Sequence, residues 1–189
     1  MNTRIRSGGL LVALLLGLAA TGCATSGNRA SDWRTQLTGE LPVLGHRNWI
    51  VIADSAYPAQ TSPGIETRYT GAGQVETVRD VLATLDGLSH VRPVVHLDAE
   101  LAAVPETLAP GITAYRESLD TLLAGRRVER LPHADLIARL DAAGATFRIL
   151  ILKTDLTLPY TSVFLELDCG YWGPEAEARL REAIGRATP

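Results

Sequence analysis

The sequence has little of what defines a disulfide-stapled, nucleic-acid-binding or nucleotide-binding protein. Only two cysteines occur among 189 residues, so no disulfide framework is available and the fold must rely on its hydrophobic core. The formal net charge is −3 with acidic and basic residues interleaved, and a nucleic-acid surface would need a clustered basic face. The sequence contains neither a Gly-x-Gly-x-x-Gly motif nor a phosphate loop, so nucleotide chemistry has no support.

Long apolar runs are also absent, apart from one near the N-terminus at residues 10–20. That run is too short to span a bilayer as a stable helix. Arg4 and Arg6 precede it, and the small residues of "ATGC" lead from it to Cys23. This resembles a bacterial lipoprotein signal peptide, with an ordinary secretory signal as the alternative. We therefore expect residues 1–22 to be a signal peptide and a lipid on Cys23 to hold the protein at the extracytoplasmic, periplasmic or cell-envelope face of a membrane.

The remainder of the chain predicts one domain with a hydrophobic core. Residues 23–40 are interpreted as a small, polar tether followed by a short helix, and residues 41–189 as the domain. Runs of β-branched residues alternate there with segments whose apolar residues recur every three or four positions. This alternation predicts an α/β fold, a parallel or mixed sheet with flanking helices in a three-layer type of arrangement.

Six strands and several helices are expected within this domain. The strands are predicted at residues 49–54, 65–69, 92–98, 127–131, 147–152 and 162–167. Helices are predicted at 75–85, from Pro105 or Pro110 to Leu122, around 136–140, and at 174–186, where the last is an additional C-terminal helix.

Two polar clusters follow strands of the predicted sheet, where open α/β sheets bind their ligands. Asp54 ends the first strand, and residues 153–162 form the loop between the last two strands. His46 precedes the first strand instead. It would reach a site at the carboxyl ends only if its loop folds back or a second subunit supplies it.

The first cluster resembles the D-ribose pyranase and L-fucose mutarotase family. Members of that family carry a glycine-histidine pair, a strand that ends in aspartate, and then a loop with proline. The corresponding residues here are Gly45, His46, Asp54 and Pro58. The resemblance extends over about residues 41–167 and implies the same α/β fold.

The second cluster resembles the same family. Its pattern is a hydrophobic strand with a basic residue, followed by a tyrosine that leads into another strand. The corresponding residues here are Lys153, Tyr160, Thr161 and Ser162. His133, in "LPHADL", occupies the position of a histidine that contacts the substrate in the ribose branch.

The resemblance implies a sugar isomerase, a mutarotase or pyranase, that needs neither metal nor cofactor. A free monosaccharide of ribose or fucose type would open its hemiacetal ring to the aldehyde and reclose it. His46 would be the catalytic proton donor and Asp54 the catalytic carboxylate that fixes sugar hydroxyls, and the unperturbed imidazole pKa of about 6.5 suits proton transfer near neutral pH. A neighbouring subunit of a homo-oligomer would complete the site. The implied substrate-binding residues are His133, Lys153, Tyr160, Thr161 and Ser162.

Two other functions remain open beside the isomerase. Ser162 stands where the family has asparagine, which removes an amide with both donor and acceptor. This change favours a second hypothesis, a sugar-binding envelope lipoprotein that has lost catalysis. A third hypothesis is a scaffold of the cell envelope that uses only the fold.

A metal site and a cysteine nucleophile have weaker support. His96, Asp98 and Glu100 alternate in "HLDAE", and imidazole and carboxylates are metal ligands. The end of the strand would break this alternation, however, and no second cluster complements it. Cys169 would need a base nearby to act as a nucleophile, and the sequence indicates none.

Overall fold

A computed structural model describes Met1 and residues 33–187 of the chain. The expected signal peptide, Cys23 and the tether lie outside the described residues. Within the described part, the helices are too short or too polar for any of them to cross a membrane.

Strands and helices alternate along the chain, which confirms the predicted α/β domain with flanking helices. The strands are β1 (Trp49–Ala53), β2 (Ile65–Tyr69), β3 (Val91–Asp98), β4 (Val128–Leu131), β5 (Ile149–Lys153) and β6 (Val163–Cys169). The helices are α1 (Trp33–Glu40), α2 (Gln74–Asp86), α3 (Ile112–Leu123), α4 (His133–Gly144) and α5 (Pro174–Ala187).

The strands form one mixed sheet in the order β2-β5-β1-β6-β3-β4. β5 pairs in parallel with β1 and β2, and β3 pairs in parallel with β4. β6 lies between β1 and β3 and runs antiparallel to both, with Val163 beside Ile52 and Leu97. The beginning of β6 therefore meets the ends of β1, β3 and β5 at one edge, the carboxyl edge of the sheet.

Helices cover both faces of the sheet, so the core has two parts. Ile50 and Ile52 of β1 contribute to the larger cluster, under α1, α2 and α3. Trp49 and Val51 point to the other face and contribute to a smaller cluster under α4. All five residues of β1 are buried, as expected for a central strand covered on both faces. Burial of each large aliphatic side chain stabilises the fold by about 1.5–3 kcal/mol.

Helix α1 packs on this domain rather than apart from it. Trp33 and Leu37 are buried in the larger cluster. The helix thereby closes the same face of the sheet as α2 and α3.

The expected start of α3 at Pro105 is wrong, because the helix begins at Ile112. Gly111 has a φ of 96°, a left-handed conformation that glycine adopts without strain and that interrupts a helix. Leu108, expected in the apolar stripe, is 81% exposed. The carboxylate of Glu106 accepts hydrogen bonds from the Gly111 and Thr113 N–H groups and so caps the true start. The alternative start near Pro110 is the closer of the two expectations.

Candidate functional site at the carboxyl edge

Asp54 follows β1 and is hydrogen-bonded to Ser162, the residue just before β6. Its Oδ1 accepts a hydrogen bond of 2.9 Å from the Ala56 N–H, the local turn that aspartate favours after a strand. Its Oδ2 accepts a hydrogen bond of 3.1 Å from the hydroxyl of Ser162, which is itself buried. The structure thus brings together two predicted site residues that are 108 positions apart in the chain.

Asp98 and His133 form a second pair at the same edge. Nδ1 of His133 lies 3.0 Å from Oδ1 of Asp98, and the Asp98 side chain is only 1% exposed. Burial raises the pKa of Asp98, while the hydrogen bond and charge of His133 oppose that rise and the charges of Glu100 and Asp54 add to it. Oδ2 of Asp98 is buried and has no hydrogen-bond partner among the described residues.

The two pairs lie on either side of β6. Ser162 immediately precedes Val163, which pairs with Ile52 of β1 and Leu97 of β3. Asp54 and Asp98 follow those partners closely along the chain. A line of polar groups, hereafter the edge site, therefore runs along the carboxyl edge from Asp54 through Ser162 to Asp98 and His133.

The loop before β6 presents Tyr160 beside His133. Tyr160 has a φ of 56°, which is uncommon for a bulky residue, and its side chain is 40% exposed. The ring meets the His133 ring edge-on, with centroids 5.6 Å apart. Thr161 is fully buried, and its hydroxyl donates to the Leu158 carbonyl at 2.8 Å. Tyr160 is therefore open to a ligand, whereas the Thr161 hydroxyl is bonded within the loop.

Lys153 supports the loop that follows Asp54. It ends β5, and its Nζ donates a hydrogen bond of 2.7 Å to the Tyr57 carbonyl. The ammonium thus holds the backbone three residues beyond Asp54. This contact within the described residues is structural and lies close to the edge site.

Two polar residues behind the edge site could not be identified from the sequence. Gln74 begins α2, and its Nε2 donates to the carbonyls of Ile52 (2.9 Å) and Thr161 (2.8 Å). The hydroxyl of the buried Thr154 lies 2.5 Å from the Gln74 Oε1. These contacts join β1 to both ends of the single loop that connects β5 and β6. A glutamine at the start of a helix carries no sequence signal for such a role.

Tyr57 closes the edge site from the smaller core cluster. Its side chain is 5% exposed, and burial chiefly, with the nearby carboxylates adding to it, raises its pKa to about 12. The hydroxyl accepts a hydrogen bond of 3.3 Å from Gln60. Tyr57 therefore remains neutral and packs from the loop after Asp54 into the smaller core cluster.

His46 lies at the opposite edge of the sheet. It occupies a turn before β1, in which the Gly45 N–H donates to Asn48 Oδ1 and Arg47 has a φ of 72°. The five residues of β1 separate this turn from Asp54 by roughly 16 Å at about 3.3 Å per residue. The loop does not fold back, so within one chain the structure does not bring His46 to the edge site. Supply by a second subunit stays a prediction.

A cavity of about 690 Å³ surrounds His46 at this amino edge. Its walls include His90, the ion pair of Arg92 with Asp168, and Trp172 just before α5. Arg92 donates two hydrogen bonds to one oxygen of Asp168, at 2.7 and 3.0 Å. The exposed imidazole of His46 therefore borders a polar and aromatic hollow that is open to a partner.

The three residues of the "HLDAE" pattern diverge. His96 is buried between Glu166, 3.2 Å from its Nε2, and Glu129, 3.4 Å from its Nδ1. Asp98 contacts His133, and Glu100 accepts the His133 backbone N–H. Across residues 33–187 no group of three His, Cys, Asp or Glu side chains is arranged to hold a metal ion.

The fold is that of an α/β protein with a cluster of polar side chains at the carboxyl edge of a mixed sheet. The sequence profile of the RbsD / FucU transport protein family matches residues 34–169. The chain belongs to this family. Helix α5 lies beyond the matched residues.

Solved structures are similar to the chain, and the first of these shares its fold. Bacillus subtilis RbsD, complexed with D-ribose, has 20% sequence identity and a TM-score of 0.52, over 74% of this chain and 94% of that one. The fucose mutarotase of Streptococcus pneumoniae, in complex with L-fucose, has 17% identity and a TM-score of 0.47, over 69% and 89% of the two chains. No curated protein sequence matches the chain significantly.

Proposed function

We propose that the protein interconverts the anomers or ring forms of a free monosaccharide, as a mutarotase or pyranase. The observation that carries this proposal is the edge site, where Asp54, Ser162, Asp98 and His133 come together in a chain of the RbsD / FucU family. The D-ribose bound to Bacillus subtilis RbsD, a protein of the same fold, supports a monosaccharide as ligand.

The reaction requires two coupled proton transfers and no change of oxidation state. A base takes the proton of the anomeric hydroxyl, and the electron pair on that oxygen forms the carbonyl. The bond from the anomeric carbon to the ring oxygen breaks, and an acid protonates the ring oxygen. Rotation about the carbon–carbon bond and the reverse steps then give the other anomer, or attack by another hydroxyl gives the other ring size.

Asp54 is suited to hold the sugar hydroxyls. Each of its oxygens already accepts one hydrogen bond, from Ala56 or Ser162, and a carboxylate oxygen can accept a second. Those two donors fix the orientation of the carboxylate. His133 and Tyr160, both partly exposed, flank the position that a sugar ring would occupy.

His46 acts, in this proposal, on the edge site of a second copy of the chain. Its exposure beside the amino-edge cavity supports the idea, because the cavity leaves room for the carboxyl edge of a neighbour. The donated imidazole would protonate the ring oxygen. The homo-oligomer with shared sites is therefore part of the proposal.

Sugar binding without catalysis is the second candidate. It is favoured by Ser162, whose hydroxyl donates to Asp54 and replaces the amide of the family pattern. A short hydroxyl reaches Asp54 but extends less far towards a ligand than an amide would. The pocket could then bind a sugar while positioning it poorly for proton transfer.

Magnetisation exchange between anomers, measured by NMR, tests the function. Ribose, fucose and a small panel of other sugars are each mixed with the full chain, with His46→Ala and with Asp54→Asn. We expect exchange to rise in proportion to protein concentration, and each variant to slow it by about 10²-fold or more. Asp120→Asn, an exposed carboxylate on α3, is the matched control and should leave the rate unchanged.

Two results would contradict this assignment. Line broadening of a sugar without faster exchange would identify the non-catalytic binder. If no sugar shows line broadening or faster exchange, the remaining hypothesis is a scaffold of the cell envelope.

We also propose that Cys23 is lipidated after cleavage of residues 1–22, placing the domain outside the cytoplasm. Mass spectrometry of the protein from a bacterial membrane fraction tests this proposal. A diacylglycerol mass on Cys23, lost in Cys23→Ser, is expected. A mature N-terminus at another residue would overturn it.

A further inference from the structure

Asp98 makes a contact that distinguishes it from the other carboxylates of the edge site. Asp98 ends β3, His133 begins α4 directly after β4, and β3 and β4 are parallel neighbours. The two side chains therefore meet where adjacent strands finish. Oδ1 of Asp98 lies 3.0 Å from Nδ1 of His133, and an ionised carboxylate can only accept this hydrogen bond.

We infer that Asp98 is a positioning residue that holds the His133 imidazole with its proton on Nδ1 and presents an unprotonated Nε2 to the sugar. This inference rests on the proposed function and deepens it. The two nitrogens lie on opposite sides of the ring, so Nε2 faces away from the buried carboxylate. The His133 side chain is 41% exposed, which leaves that side accessible.

The backbone of His133 is fixed independently of its ring. Both oxygens of Glu100 lie near the His133 N–H, at 3.1 and 3.0 Å. Glu100 thus anchors the first residue of α4, while Asp98 orients the imidazole. The two carboxylates therefore act on different parts of His133. Variants of Glu100 and Asp98 can be compared to separate these effects.

The burial of Asp98 argues against a purely structural role. Its side chain is 1% exposed, yet only one oxygen has a hydrogen-bond partner among the described residues. A buried carboxylate with an unpaired oxygen destabilises a fold compared with a well-packed apolar residue. Orientation of a neighbouring imidazole is a function that accounts for retaining such a group.

In the reaction, His133 becomes the base that works opposite His46. Nε2 of His133 accepts the proton of the anomeric hydroxyl while the ring oxygen takes a proton from His46 of a second copy. The carbonyl forms as the ring carbon–oxygen bond breaks, and Asp98 stabilises the resulting imidazolium. On reclosure His133 returns a proton to the carbonyl oxygen and His46 recovers its own, so both histidines regain their starting states.

The test measures the tautomer of His133 and the exchange rate separately. Long-range ¹H–¹⁵N spectra of the ¹⁵N-labelled full chain distinguish the two imidazole tautomers, and His133→Gln assigns the signal. We expect wild type to show Nδ1–H, and Asp98→Asn to shift the population towards Nε2–H, because an amide can donate to Nδ1. Asp98→Asn should also slow anomer exchange by about 10²–10⁴-fold. Glu100→Gln keeps an oxygen that can accept the His133 N–H and should leave the Nδ1–H tautomer unchanged. Asp120→Asn, an exposed carboxylate on α3, should alter neither measurement.

Each outcome tests either the positioning role of Asp98 or the proposed function. An Nε2–H tautomer in wild type would overturn the inference even if Asp98→Asn failed to fold. An unchanged tautomer in Asp98→Asn, or the same shift of tautomer in Glu100→Gln, would overturn it as well. Absence of anomer exchange in wild type would instead overturn the proposed function, while the tautomer spectra would still decide whether Asp98 orients His133.

Discussion

His46 and Asp54 lie at the two ends of the same strand, β1, so one chain keeps apart the two side chains assigned to proton transfer and sugar binding. His46 is exposed in the turn before Trp49, and Asp54 follows Ala53. A rigid, fully buried strand fixes that separation. If both residues act on one sugar, they must come from different copies.

Complementation between two inactive variants is therefore expected. His46→Ala and Asp54→Asn should each be inactive alone. Oligomers formed from the two co-expressed chains should regain about one quarter of the wild-type exchange rate. In a random mixture, an intact His46 meets an intact Asp54 at that fraction of the shared sites. Anomer exchange measured on the co-purified oligomer checks this. A doubly substituted chain co-expressed with wild type is the control for chain mixing. Absence of any recovery in well-mixed oligomers would contradict a shared site.

Gln74 is expected to be important for stability because its side chain bonds three polar groups behind the edge site. Gln74→Leu leaves the carbonyls of Ile52 and Thr161 and the hydroxyl of Thr154 without this partner. We expect the free energy of unfolding in urea to fall by about 2–4 kcal/mol. Gln60→Leu, which removes a single 3.3 Å hydrogen bond to Tyr57, should cost less than about 1 kcal/mol. Equal losses in the two variants would contradict a larger contribution from the buried contacts of Gln74.

The raised pKa of Tyr57 predicts that the folded protein loses stability at alkaline pH. Its pKa in the folded protein is about 12, above the unfolded value of about 10. The folded state therefore holds the proton more tightly, and the associated stability is complete below pH 10 and lost as pH rises towards 12. The shift corresponds to about 3 kcal/mol. Urea unfolding at pH 9 and 11.5 should show a smaller loss for Tyr57→Phe than for wild type. Tyr171→Phe, at an exposed position, should behave as wild type.

The lowered pKa of His96 predicts that the folded protein loses stability at mildly acid pH. Burial lowers its pKa, although the carboxylates of Glu129 and Glu166 oppose this and Arg139 adds to it. The unfolded chain therefore binds a proton more readily than the folded one near pH 6.5, so stability present above that pH is lost as the pH falls through the folded pKa. Urea unfolding at pH 7.5 and 5 should reveal a loss in wild type that is reduced in His96→Gln. An equal loss in both proteins would assign the effect to other groups.

The elements of the fold could largely be predicted because their signals are local. The β-branched residues of β1 and the helical spacing in α2 gave boundaries within one or two residues of those in the structure. The start of α3 could not be placed, because Gly111 adopts a left-handed conformation that the apolar spacing from Leu108 to Ile112 does not reveal. A pattern of side chains carries no information on the backbone torsion of a glycine.

The contacts of the edge site were less predictable, since they depend on strand order. Nothing local indicates that β6 inserts antiparallel between β1 and β3, and that insertion is what places Ser162 beside Asp54. The pairing of Asp98 with His133 likewise depends on β3 and β4 being neighbours. Family resemblance predicted Asp54, Ser162 and His133 as site residues from their type and order, but Asp98 lay outside the pattern.

The insertion of β6 also makes the edge site a property of the finished sheet. Asp54, Asp98, His133 and Ser162 come from four segments of the chain, which meet only when β1, β6, β3 and β4 are paired side by side. A sugar present at 100 times its dissociation constant would add about 2.7 kcal/mol to the free energy of every unfolding event that disassembles this site. Amide hydrogen exchange should then slow together in β1, β3 and β6, because any opening that separates these strands takes the site apart and loses the bound sugar.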